Sequence, residues 1–384
     1  METLLVQSVD RFFVRKAPVK GHLVIADISG YTRFLTDSFN DMEAEHGNGI
    51  ISDLLNSIVD AIDAPMDVSS IEGDAVFLYG EFDASMTGQT VLESVERLYC
   101  AFKSSLDTMV INTTCSCNAC VNIEGLGLKI VMHCGEFLIQ KVGPIVTLSG
   151  PDVILVHRLL KNHIVETSGI SNYFLVTDAC VEALEVDWVR DVWQEHTEQY
   201  EHIGPVVGWI SNLDDVYEML QLQTEIKISP GDAWDRLVVS TKAPPTVVWD
   251  HIINPTKRVQ WIAAAEGMKL ENAAEGRVSP GTEFHCSHGD SVTKFTVLDM
   301  RPHSYITAMV EFVEGSVVRY TYYLQPTGSG TRITLAAASP SAPDGMAIPG
   351  LDSPDYQTAW HEMMDGNFQL LVPMTDEAVA ASTA

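Results

Sequence analysis

With 384 residues, 46% of them hydrophobic, the chain has material for two ordinary cores. Its formal net charge of −29, from 52 acidic against 23 basic residues, excludes a general binder of nucleic acid or of anionic membranes, since phosphate would be repelled. Most of that excess falls in the first 222 residues, so an anion bound there must be held by metal ions or backbone N–H groups.

No run of about 18 apolar residues occurs, and the opening "METLLVQSVDRFFVRK" lacks the charged, apolar and cleavage regions of a signal peptide. A cytoplasmic protein with no membrane span is expected. Seven cysteines, an odd number in a long chain, fit reduced thiols better than a disulfide framework.

In chain order, "HLVIAD" reads as a buried strand, "NGIISDLLNSIVDA" as a helix, "DAVFLYG" as a second strand and "TVLESVERLYCAFKSSLDTMV" as a long helix. "LGLKIVMHCGEF" follows as a strand ending in a turn, then "GPDVILVHRLLKN" as a helix, "YFLVTDACVEAL" as strand and helix, and "DVYEML" as a last strand. This alternation predicts an α+β domain, a mixed sheet covered by helices, over residues 1–222. The rhythm changes near residue 224, and residues 223–384 read as a second domain. It opens with the strand "RLVVSTKA", passes Pro244 and Pro245 into a short helix, and continues as a strand meander from Gly267 to Ala337. Ser353 and Pro354 cap a terminal helix with Tyr356, Trp360, Met363 and Phe368 at helical spacing, which Pro373 should kink or shorten.

Asp27 in "VIADISGYT" and Asp74 in "SIEGDAVFLYG" each sit beside a glycine and a strand. If those strands are neighbours, both acids project from one edge and can hold a pair of divalent cations. The turn "ISGYT" precedes a helix and suits phosphate oxygens. Both acids also fit the turn and cap role usual for Asp beside Gly.

The blocks "ADISGYTRFL", "EGDAVF", "KIVMHCGEF" and "GPDVILVHRLLKN" resemble, in order and spacing, the catalytic domain of class III adenylate/guanylate cyclases over about residues 20–220. The resemblance implies a ferredoxin-like cyclase domain with Asp27 and Asp74 as metal-binding aspartates and the Ile28 carbonyl as a further ligand of Mg²⁺ or Mn²⁺. It implies nucleotide contacts from Ser29, Gly30, Tyr31, Thr32 and Gly73, with Arg158 as the arginine that steadies the phosphates. It also implies a homodimer whose head-to-tail interface joins the aspartates of one subunit to the arginine of the other.

The departures are equally informative. The purine-reading lysine or glutamate is replaced by Ser70, the purine-reading aspartate by Thr147, and the transition-state asparagine by Ile154. The late phosphate-binding lysine, expected near "YEHIGPVV", has no basic counterpart except His202. Losing one oriented donor typically costs roughly 10²- to 10³-fold in rate, so several losses argue against an efficient cyclase.

"TTCSCNACVN" places Cys115, Cys117 and Cys120 where three thiolates can share a zinc ion, the fourth ligand being sought among Cys100, Cys134 and His133. Three reduced cysteines in a loop is the plainer alternative. His285, Cys286 and His288 do not converge on one strand face and read as ordinary strand residues.

"VSTKAPPTVVWDHIINPTKRVQWI", "PGTEFHCSHG", "TVLDMRPHSYITAMV" and "GSGTRITL" resemble the START-like (SRPBCC, polyketide cyclase/dehydrase) superfamily over about residues 234–384. The resemblance implies a helix-grip fold: a curved antiparallel sheet around a long C-terminal helix, with an apolar cavity for a small molecule. Trp249, Trp261, Trp360 and Met363 are the candidate cavity or core residues.

The favoured expectation is a nucleotide-binding regulatory protein, a degenerate cyclase domain sensing a purine nucleotide and coupled to a START-like ligand-binding or interaction domain. The alternatives are an active adenylate/guanylate cyclase, and a carrier of a lipid or small apolar molecule whose cyclase-like half dimerises.

Overall fold

The computed structural model describes residues 17–31, 34, 41–82, 86–142, 145–222, 226–273, 276–312 and 315–382. It divides into two units, one formed by the described residues up to Phe82 with Val95–Met219, the other by Asp83–Ser94 with Leu220–Ala384.

The first unit is built on β1 (Val19–Ser29), α1 (Asp41–Asp60), β2 (Asp67–Glu72), β3 (Ala75–Glu81), α2 (Gly88–Asn112), the short α3 (Asn118–Val121) and β4 (Gly127–Val142). β5 (Ile145–Ser149), α4 (Pro151–Leu159), β6 (Tyr173–Thr177), α5 (Asp178–Ala183), β7 (Gln194–Tyr200), β8 (Gly204–Asn212) and α6 (Leu213–Leu222) follow. The sheet order is β2-β3-β1-β4-β6-β8-β7, with β5 hairpinned onto the far end of β4. The antiparallel quartet β2-β3-β1-β4, with helices in the β1–β2 and β3–β4 connections, is the ferredoxin-like arrangement expected from the sequence. β1 is its centre: Leu23, Val24, Ile25 and Ala26 are all buried because β3 and β4 pair with both its edges. β6 joins β4 in parallel, from Lys129↔Tyr173 to Met132↔Val176.

Two features of this unit depart from the sequence reading. "DVYEML" lies in helix α6, where Asp214 and Asp215 in the first turn complement the helix dipole and Leu213 is buried. Cys134 on β4 and Cys180 on α5, expected as reduced thiols, form a disulfide with Cα atoms 4.7 Å apart, because the two elements pack side by side with both cysteines buried.

The second unit has strands β9 (Asp235–Thr241), β10 (Gly267–Glu271), β11 (Glu283–His288), β12 (Ser291–Arg301), β13 (Tyr305–Glu311), β14 (Val317–Thr327) and β15 (Gly330–Ala337). Its helices are α7 (Pro245–Ile253), α8 (Pro255–Trp261) and the long α9 (Pro354–Ser382). All neighbours in the order β10-β11-β12-β13-β14-β15-β9 are antiparallel. The core between this sheet and α9 takes Trp360, Met364, Phe368 and Leu371 from the helix and Tyr320, Tyr322, Ile333 and Leu335 from the sheet. This is the helix-grip arrangement.

α9 continues past Pro373 instead of ending there. The turn beyond the proline is tied to β9: Thr241 Oγ1 lies 2.8 Å from Thr375 Oγ1, and Asp376 accepts from Thr241 Oγ1 and the Lys242 amide at 2.6 and 2.7 Å. These bonds compensate the helix bond that proline cannot make.

Two buried polar groups yield stability tests. Glu93, with no exposed side chain, accepts from Trp249 Nε1 and Gln89 Nε2, both at 2.8 Å, and pairs with Arg277 at 3.3 Å. Glu93→Ala would leave the buried Trp249 indole N–H without its acceptor and break the pair with Arg277, so denaturant unfolding of the second unit should show a loss of roughly 3–5 kcal/mol. His22 is 1% exposed, and neither ring nitrogen has a hydrogen-bond partner. Burial lowers its pKa from 6.5 to about 4, so the unfolded chain takes up the proton first as pH falls. Stability should therefore drop by roughly 3 kcal/mol between pH 6.5 and 4 through this group alone. A His22→Gln variant should show a correspondingly shallower fall in urea midpoint over that window.

Candidate functional site

β1 and β3 pair with Asp27 opposite Ala75, which puts Asp74, the last residue before β3, beside the end of β1. The Ile28 amide donates to the Asp74 carbonyl at 3.1 Å and locks the two segments in this register. Asp27 and Asp74 are both half-buried, and the two carboxylates act on one another electrostatically. Burial first, then the Asp74 charge, raises the Asp27 pKa to about 6, while Lys129 across the β1–β4 ladder pulls the other way. Burial likewise raises the Asp74 pKa, against a hydrogen bond from its own backbone N–H and Lys129. Two crowded carboxylates that hold protons more tightly than usual are a donor set that Mg²⁺ or Mn²⁺ would relieve, so the residues fit the cation implied by the sequence.

The turn that follows is built around glycine. Gly30 has φ +86°, and a Cβ there would stand 2.7 Å from the Gly125 carbonyl. Ser29 ends β1 opposite Gly127, Tyr31 follows Gly30 in helical conformation, and the Phe34 amide donates to the Gly30 carbonyl at 2.9 Å. Gly73, with φ +71°, makes the β2–β3 turn beside Asp74. Thr32 lies outside the described residues.

The remaining expected positions are not joined to this carboxylate pair. Arg158, on α4, donates to the Glu201 carbonyl at 2.9 Å and, among the described residues, has no bond to Asp27 or Asp74. Ser70 Oγ donates to Glu72 at 2.9 Å, and Glu72 lies 3.7 Å from His157, so β2 and α4 meet around a polar cluster of their own. Ile154, one turn before Arg158, is 57% exposed and offers no hydrogen bond; Thr147 sits on β5 opposite Gln140. His202 is in the β7–β8 turn with φ +68°, 3.4 Å from Glu201.

Cys115, Cys117 and Cys120 do converge, and the fourth group is His46 of α1. Its Nδ1 lies 3.7, 3.5 and 3.7 Å from the three sulfurs in that order. Cys100, Cys134 and His133 are not part of the cluster. Cys134 is in the disulfide, while His133 bonds Thr177 at 2.9 Å and approaches Asp152 at 3.4 Å.

The second unit encloses a cavity of about 240 Å³ between sheet and helices, lined by Trp261, Trp360 and Met363. Trp249 does not line it: its ring is fully buried and bonded to Glu93, so it is core. Arg258 also faces the cavity, 2% exposed and surrounded by Trp261, Phe284 and Phe295.

Sequence reasoning missed His46, Lys129 and Arg258. Aligning the β1 and β4 registers would have found Lys129. No spacing rule reaches His46, which lies 69 residues from Cys115.

Residues 51–168 match a family described as a protein of unknown function (DUF2652), and residues 242–370 match the family of Activator of Hsp90 ATPase homolog 1-like proteins. The second match agrees with the START-like reading of the helix-grip unit. Among solved structures, the chain is similar to the guanylyl cyclase Cya2, at 15% identity over 51% of this chain and 93% of that one, with a TM-score of 0.39. The adenylyl cyclase CyaB from P. aeruginosa is similar at 12% identity over 51% and 95%, TM-score 0.36, and protein CV1439 from Chromobacterium violaceum at 16% over 37% and 96%, TM-score 0.29. These are likenesses of fold, and no activity is read from them. A curated relative, the uncharacterized protein Rv2561/Rv2562 of Mycobacterium tuberculosis, is 32% identical over 154 residues, which cover 40% of this chain and 69% of that protein. By that measure the chain belongs to the family of Rv2561/Rv2562.

Proposed function

We propose that this chain is a nucleotide-binding regulatory protein. Its first unit binds a purine nucleotide through Mg²⁺ or Mn²⁺ held by Asp27 and Asp74, and its second unit takes a small, largely apolar ligand. The observation that carries the reading is the strand register that brings Asp27 and Asp74 to neighbouring strand ends beside the Gly30 turn, close enough for the Asp74 charge to act on Asp27. In so acidic a chain, cations at the carboxylates would offset the repulsion that a triphosphate meets.

Sensing is favoured over efficient turnover because positions that would orient base and ribose carry groups unable to do so. Ile154 is exposed and apolar, and the Ser70 hydroxyl is engaged by Glu72. Arg158 is bonded to the Glu201 carbonyl and not to Asp27 or Asp74, so the chain as described brings no guanidinium to the phosphates.

A product assay on the full chain with ATP or GTP and Mn²⁺ separates sensor from enzyme, with a double Asp27→Asn, Asp74→Asn variant beside it. The expected outcome is triphosphate binding by the parent with turnover at least ~10³-fold below that of an efficient cyclase. The double variant should remain folded and lose the metal-dependent binding. Rapid cyclic product that vanishes in the variant would establish a working cyclase instead.

A further inference from the structure

We infer that His46, Cys115, Cys117 and Cys120 form a closed, structural zinc site. The four ligand atoms lie within 4.8 Å of one another. A tetrahedral ion with Zn–S near 2.3 Å and Zn–N near 2.0–2.1 Å requires nitrogen-to-sulfur edges of about 3.6 Å. The three edges from His46 Nδ1 are 3.5, 3.7 and 3.7 Å, which match that geometry. Thiols alone do not explain the convergence, because an S–H group is a weak donor and the cluster is partly exposed. The spacing is too tight for a polynuclear cluster, whose ligands bind different metal atoms. With four protein ligands and no open vertex, the ion is structural rather than catalytic.

Its place in the fold gives it a task. Cys117 is the N-cap of α3 and Cys120 lies within that helix, while His46 comes from α1. The ion therefore cross-links α1 to the connection that ends at Gly125, the residue whose carbonyl meets Gly30. On binding, each thiol gives up its proton and the imidazole coordinates in its neutral form. The test is the metal content of full-length protein purified without chelators, with Co²⁺ exchange as a second readout. One zinc per chain is expected, with the visible bands of tetrahedral cobalt thiolate after exchange. Metal content should fall at least tenfold in a Cys117→Ser, Cys120→Ser variant and be retained in His46→Cys. Folded parent protein with under a tenth of an equivalent of zinc and no cobalt–thiolate bands would overturn the site.

A separate observation concerns the cavity of the second unit and rests on the reading that this cavity holds a ligand. Arg258 donates to the Ile252 carbonyl at 2.8 Å and to the Tyr320 hydroxyl at 3.2 Å. Its Nε has no partner, and among the described residues no carboxylate pairs with it. Trp360 Nε1, also on the cavity wall, is a second buried donor without an acceptor. An arginine cannot shed its proton to escape burial, so an unpaired guanidinium in an aromatic box wants an anion. We propose that the ligand is a small amphipathic carboxylic acid, its carboxylate on Arg258 and its apolar body against Trp261, Phe295 and Trp360. The volume of about 240 Å³ favours one aromatic ring or a medium chain.

Octanoate and 4-phenylbutyrate serve as probes, each compared with its neutral amide by calorimetry and tryptophan fluorescence on the full chain. At least tenfold tighter binding of the acids is expected, with that preference lost in Arg258→Met and kept in Arg258→Lys. Equal binding of acids and amides would overturn the role of Arg258 while leaving a cavity ligand in place. Binding of neither would overturn both.

Discussion

The pairing of β1 with β3 and β4 is the constraint on which the first unit depends. A strand hydrogen-bonded on both edges and packed on both faces is held in one register, since a slip of one residue would exchange the side chains fitted to its two faces. That register fixes Asp27 against Asp74 on one side and Lys129 on the other. The carboxylates are thus held together by hydrophobic burial some residues away, and their mutual repulsion is a cost met by the rest of the sheet.

The same logic governs the second unit with different chemistry. Its sheet and α9 bury an aromatic core, yet place one arginine, Arg258, among the rings with no carboxylate paired to it among the described residues. Charge left unsatisfied inside a well-packed core costs stability, and such groups are commonly retained for ligands. Among the described residues, the two units therefore store electrostatic imbalances of opposite sign: excess negative charge at the β1–β3 edge, and the Arg258 guanidinium without a paired carboxylate at the cavity. On the proposed reading, a ligand of the opposite sign would answer each imbalance, cations in the first and an anion in the second.

Much of this was legible in the sequence, and the exceptions have physical causes. Buried strands such as "HLVIAD" and "DAVFLYG" announce themselves because both faces are apolar, and the Asp-Gly and Ser-Gly signals place the carboxylates at strand ends. "DVYEML" misled because a short apolar run serves strand and helix alike, and its decisive signal was the pair of acids at the N-terminus. His46 was illegible because a ligand completing a local cysteine cluster comes from wherever the fold brings a helix past it. Cys134 and Cys180 meet for the same reason, 46 residues apart. Trp249 was a reasonable cavity candidate by residue type, but its indole N–H is taken by Glu93, a partner from far upstream. Arg258 reads as an ordinary basic helix residue until the sheet closes over it.

The central claim is that nucleotide binding in this chain runs through cations at Asp27 and Asp74. The most direct measurement is a Mn²⁺ titration of the full-length protein by electron paramagnetic resonance, with and without ATP and GTP. If binding runs through these cations, Mn²⁺ is immobilised far more strongly when a triphosphate is present, and the triphosphate binds weakly when the cation is withheld. Triphosphate binding of equal strength with and without cation, or no immobilised Mn²⁺ under either condition, would contradict it.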